Sequence, residues 1–198
     1  MRKIAQEEAM NNIYDFSSAL PQKSFDLIPN GTIAKVSLTI QPGGHNDITR
    51  GWTDGLVSIN SMKEYAYLKI QCNILSGEYS GRKIWSRIGL YSSKSEKVVE
   101  IGRSFIRSIL ESARSVIPND TSDEANKKRS VQGLIDLDDM VFVAKVSVAK
   151  NQNGEPQNEI KYAVTPDHPE YKKHISDDST NSNVIKPFCK QLGNEVPF

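Results

Sequence analysis

"VVEIGRSFIRSILESARSVI", residues 98–117, is the strongest helical pattern in the chain, and its position among the strands decides the fold. Val98, Ile101, Phe105, Ile109, Ala113 and Val116 recur at spacings of three and four. Gly102, Ile106, Leu110 and Ile117 widen that stripe, while Arg103, Arg107, Glu111 and Arg114 fall mostly elsewhere. Such spacing predicts an amphipathic helix with one buried face. Pro118 is expected to end it, because proline lacks an N–H and clashes with the preceding turn.

On both sides of this helix the apolar residues alternate with period two, as in half-buried strands. "TIAKVSLTI", 32–40, sets Ala34, Val36, Leu38 and Ile40 against Lys35, Ser37 and Thr39. "YAYLKIQCNIL", 65–75, puts Ala66, Leu68, Ile70, Cys72 and Ile74 on one face. Its other face carries Tyr65, Tyr67, Lys69, Gln71 and Asn73. "KIWSRIGL", 83–90, turns Lys83, Trp85 and Arg87 away from Ile84, Ile88 and Leu90. After the helix, "MVFVAKVSVAK", 140–150, and "EIKYAV", 159–164, flank the turn-rich "NQNGEPQN". Residues 45–64, with Arg50 and Trp52, are expected to be a long loop.

The expected order is thus three strands, a helix and two strands. That is the order of an OB-fold, a five-stranded barrel of mainly β (α+β) class with its helix between strands three and four. Residues 1–29 read as a leader, 30–168 as the domain, and 169–198 as a flexible polar tail with little to bury.

The bulk numbers narrow the partners. The 198 residues fit one domain with appendages, and 37% are hydrophobic. The net charge is +1, so binding to nucleic acid would need a local patch rather than a global field. Cys72 and Cys189 match no metal or redox spacing, and their small number suits a reducing compartment. No apolar run approaches the ~20 residues of a membrane helix, and the start lacks the apolar stretch of a signal peptide. The expectation is a soluble cytoplasmic protein that needs no cofactor.

The local patch is where an OB-fold would need it. Strands two and three, walled by loops 1–2 and 4–5, form the single-strand platform of that fold. On this chain they carry Tyr65, Tyr67, Lys69, Lys83, Trp85 and Arg87, with Arg50 and Trp52 in loop 1–2 and Lys150 and Asn151 in loop 4–5. Aromatic rings would stack on bases and cations would neutralise phosphates. The competing reading is that Tyr65, Tyr67 and Trp85 close a second sheet face against the leader or a subunit, with basic neighbours snorkelling past them. Trp52 reads equally as a loop anchor.

Two resemblances add to this. The end "GNEVPF", through Glu195, Val196, Pro197 and Phe198, resembles the C-terminal tip of bacterial single-stranded DNA-binding proteins, although that tip is usually richer in acids. The resemblance implies a mobile tail that recruits replication and repair proteins. A terminal Phe supplies an apolar anchor and a carboxylate for a basic pocket. "YDFSSA", "IPNGTIAKVSLTIQPGG", "SGEYSGRKIWSRIGL", "GRSFIRSILESA" and "TPDHPEY" are similar to a little-characterised family of phage and prophage proteins, usually encoded beside replication and recombination genes. That similarity implies a phage replication or recombination module and no catalytic residue. Monomer, dimer and tetramer are all compatible with a domain of this kind.

Two other functions compete. Asp138 or Asp139 with Glu159 and Lys161 has the Asp…Glu-x-Lys character of Mg²⁺-dependent nucleases. A non-binding assembly or annealing accessory would use the aromatic face for self-association.

Overall fold

The computed structural model describes residues 16–21, 26–151 and 153–175. Glu195, Val196, Pro197 and Phe198, expected to recruit partners, lie outside the described residues. The described chain is mainly β, a curled antiparallel sheet in the form of a half-barrel. Its strands are β1 (Ile33–Gln41), β2 (His45–Asp47), β3 (Trp52–Ile59), β4 (Tyr65–Ile74), β5 (Lys83–Ser92), β6 (Val141–Lys150) and β7 (Pro156–Ala163). The helices are α1 (Glu96–Ala113), α2 (Asp123–Lys128) and α3 (Tyr171–Ile175). Among the described residues, no helix is long and apolar enough to cross a membrane.

Seven strands replace the five expected. The two extra ones lie in 45–64, which is a hairpin rather than a loop. The Asn46 side chain accepts the Gly55 N–H at 2.8 Å, and the Gly55 carbonyl accepts from Gly43 and Gly44, so the hairpin is clamped across its own strands.

β4 organises the sheet. β5 pairs with it along one edge; β1 and β3 divide the other, β1 facing Lys69–Ile74 and β3 facing Ala66–Leu68. β1 continues to β6, and β6 to β7. β5 and β7 then come alongside each other with no ladder between them, which leaves a seam. α1 packs across that seam on β5, β6 and β7.

The alternating faces bury as the sequence predicts. Val36, Leu38 and Ile40, the even residues of β4 from Ala66 to Ile74, and Ile84 and Ile88 form one core with Phe142, Val146 and Ile160. Burial of each Val, Leu, Ile or Phe among them contributes ~1.5–3 kcal/mol. Ile28 joins the core from upstream, its backbone N–H and C=O both bonded to the Asn158 amide at 2.9 and 2.8 Å. Behind β6, Val143 packs with Val164 and Tyr171 of α3, and the Tyr171 hydroxyl donates to the Ser112 carbonyl at 2.5 Å.

α1 differs from its expected span of 98–117 in two ways. It stops at Ala113, because Ser115 adopts a left-handed conformation (φ 52°) and the Val116 N–H closes on the Glu111 carbonyl. Pro118 lies beyond that stop. The buried face runs through Gly102, Ile109 and Leu110, and Ile101 is 61% exposed.

Candidate nucleic-acid interface

The outer face of β4 and β5 is built by register. Lys69 sits opposite Arg87, Gln71 opposite Trp85, and Asn73 opposite Lys83. Lys69, Lys83, Trp85 and Arg87 are all exposed. Trp85, at 56% exposure, stands free of the core that its neighbours Ile84 and Ile88 enter.

Between the β5 side of this face and the start of β7 lies a groove of about 940 Å³. Lys69, Trp85 and Arg87 form one wall; Lys150, Asn151, Asn153, Gln157 and Glu159 form the other. Gln41 and Pro42, where β1 ends, also line it. Lys69, Trp85, Arg87 and Lys150, expected from sequence to share a site, therefore meet in one groove. Lys150 is the last residue of β6, paired with Pro156, rather than part of the loop. The turn after it is fixed by Asn151, whose side-chain oxygen accepts the N–H groups of Asn153 and Glu155 at 2.9 Å each. Glu159 is the one carboxylate among the lining residues, and its Oε1 accepts from the Ser147 hydroxyl at 3.0 Å.

The charge state of the groove follows from partner choice. Among the described residues, Lys69, Arg87 and Lys150 enter no ion pair, and neither does Lys83, just outside the groove on β5. Arg107 and Arg129, by contrast, both close on the buried Glu111 carboxylate, at 2.8 and 2.6 Å. Unpaired cations around an exposed indole offer a polyanion both neutralisation and stacking.

Tyr65 and Tyr67 are half-buried beside this groove. Their rings stack on each other, 5.0 Å apart and 16° from parallel. The ladder shifts register between Ala66 and Tyr67, so Tyr67 faces the side-chain-free Gly89. Arg87 then lies over the Tyr67 ring at 5.2 Å. Burial pushes the Tyr65 phenol above its ordinary range, with Arg87 pulling the other way and Tyr67 adding to the rise.

Arg50 and Trp52 belong to a separate cluster. Arg50 bonds Asp47 at 3.0 Å and lies over the rings of Tyr91 at 4.2 Å and Trp52 at 5.7 Å. Trp52 packs against the core, with His45 edge-on at 6.4 Å. This cluster clasps the β2–β3 hairpin to the end of β5, and neither residue lines the groove. The hydrogen bond from the Thr49 hydroxyl holds the Asp47 carboxyl below its usual range against the opposing effect of desolvation, with Arg50 and the Thr49 and Arg50 N–H groups adding to the lowering.

Sequence reasoning did not find Gln41, Pro42, Asn153, Gln157 or Glu159. Gln41, Pro42, Asn153 and Gln157 fall in stretches read as turns, and Glu159 on the charged face of a strand; it is the curl of the sheet that turns the start of β7 toward β5. The Asp…Glu-x-Lys set is dispersed in role. Asp138 accepts the Ile40 N–H at 2.6 Å, Asp139 occupies a left-handed turn position (φ 57°), and Glu159 is tied to Ser147. Among the described residues, no three His, Cys, Asp or Glu side chains are grouped to hold a metal.

No family model and no curated protein matches the chain.

Proposed function

We propose that this protein binds single-stranded DNA with little sequence preference, as part of a phage or prophage replication or recombination module. The observation that carries the reading is Trp85, 56% exposed, in a groove with Lys69, Arg87 and Lys150, none of them ion-paired among the described residues. An indole has no base preference to impose, and point charges read phosphates rather than sequence.

The domain is read as OB-fold-like. Strands β1, β4, β5, β6 and β7 supply the five positions of that barrel, α1 falls between the third and fourth, and the β2–β3 hairpin is an elaboration of loop 1–2. β4 and β5 then correspond to the strands that carry ligands in such folds, and residues 151–155 to loop 4–5. The module assignment, and a role for Glu195 to Phe198 in recruiting partners, rest on the sequence resemblances.

Titration with poly-dT, followed by tryptophan fluorescence at several salt concentrations, tests the proposal. Quenching that weakens with salt, and is stronger for the single strand than for duplex, is expected. No quenching, or equal affinity for duplex, overturns it.

A further inference from the structure

A second groove, of about 690 Å³, lies on the other side of Arg87, between α1, the later half of β5, and β7. Ser86 and Arg87 line both grooves, so the two are continuous along β5. The Arg87 guanidinium covers Tyr67, Tyr67 stacks on Tyr65, and Tyr65 lines the second groove. Cation and rings thus lead from one groove into the next.

The floor of the second groove is apolar: Ile88 and Ile160 reach it from the core, Phe105 and Tyr162 are packed against buried clusters, and Ile101 remains exposed. Val98, Ile101 and Phe105 present one side of α1 toward Tyr162 of β7, and Ile101 is 61% exposed. Lys97 and Lys161 also line it, unpaired among the described residues, against one carboxylate, Glu100. An apolar floor with a surplus of cations matches a nucleobase attached to its phosphate.

We propose that the bound strand continues past Arg87 into this α1–β7 groove, which serves as a second, base-accepting subsite. The inference rests on the reading of the first groove as a single-strand site. The volume lies within the ~300–1,000 Å³ typical of small-molecule pockets, room for a base with its sugar. The path runs from Lys150 at one end to Lys97 and Lys161 at the other, with Arg87 at the crossing.

Oligo-dT of about 4 and about 16 nucleotides, the span of site sizes for one such domain, separates the subsites. Ile101→Gln and Lys161→Gln alter exposed side chains and leave the core untouched. Each should weaken the longer strand roughly fivefold to tenfold, the lower end of what one stacked base contributes, and leave the shorter one unchanged. Trp85→Ala should weaken both. If the Ile101 and Lys161 variants bind both lengths as the unmodified protein does, the second subsite falls and the first groove stands; an apolar protein segment as the true occupant would give this same result. Equal losses on both lengths also overturn a separate subsite. If the unmodified protein binds neither length, both readings fall.

Discussion

Gly102 of α1 rests directly on the backbone of Gly89 in β5, with no side chain between helix and strand. A Cβ on Gly102 would overlap the Gly89 carbonyl oxygen, and a Cβ on Gly89 would crowd a Val98 methyl at 2.7 Å. Alanine ordinarily favours a helix interior over glycine by ~1 kcal/mol. Here the sign should reverse. Gly102→Ala is expected to lower stability by ~1–3 kcal/mol, the usual cost of forcing atoms into a packed interface. Urea denaturation measures it, and an unchanged or raised midpoint would show that α1 does not lie this close.

Trp85→Ala distinguishes a binding platform from a core residue. Because the indole is largely exposed, the change in stability should stay within ~0.5 kcal/mol, as at most surface sites. Affinity for poly-dT should fall by ~1–3 kcal/mol. Thermal unfolding alongside a DNA titration gives both quantities; a variant that melts early would return Trp85 to the core.

The salt dependence of binding should separate the cations by position. Removing Lys69, Arg87 or Lys150 singly should reduce the slope of log affinity against log salt by about 0.7 for each phosphate left without its cation. Arg50→Ala should leave that slope alone, because its guanidinium is held by Asp47, Tyr91 and Trp52. An Arg50 variant with the larger change in slope would move the strand onto the β2–β3 hairpin.

Burial pushes the Cys72 thiol up to about 12 from an ordinary 9.0. The folded state therefore keeps the proton where the unfolded state releases it. Its contribution to stability is full below pH 9 and is lost as pH rises from 9 toward 12, where the unfolded chain binds fewer protons. In a Cys189→Ser background, Cys72 should resist a thiol-specific reagent at about pH 8 until denaturant is added, since the thiolate is the reactive form. Prompt labelling of the folded protein would contradict the burial.

The even residues of β4 and the apolar residues of β1 from Val36 onward were legible in sequence because burial there falls on one face and period two survives; at the start of β1, Ile33 and Lys35 are covered on the other face as well. The β2–β3 hairpin was not legible, for a physical reason. Leu56, Val57 and Ser58 are buried in succession, so both faces of β3 are covered and no alternation remains. The groove was half legible. Lys69, Trp85 and Arg87 share a face by alternation and Lys150 was expected from its loop, whereas the β7 wall depends on sheet curl, which no local pattern encodes. Ile101 shows the limit for the helix. Its spacing fits the apolar stripe, but close packing at Gly102 sets the rotation of α1 and leaves Ile101 outside.

The unlatched edges of β5 and β7 bear on how a polymer would be loaded. Nothing in the described sheet encircles the groove, and the residues proposed to touch DNA stand along its outer rim. A strand laid there enters sideways, anywhere along its length, without threading an end. If single-stranded DNA is the ligand, gaps and closed circles would then be as accessible as free termini, and release would need only the local lifting of a few bases.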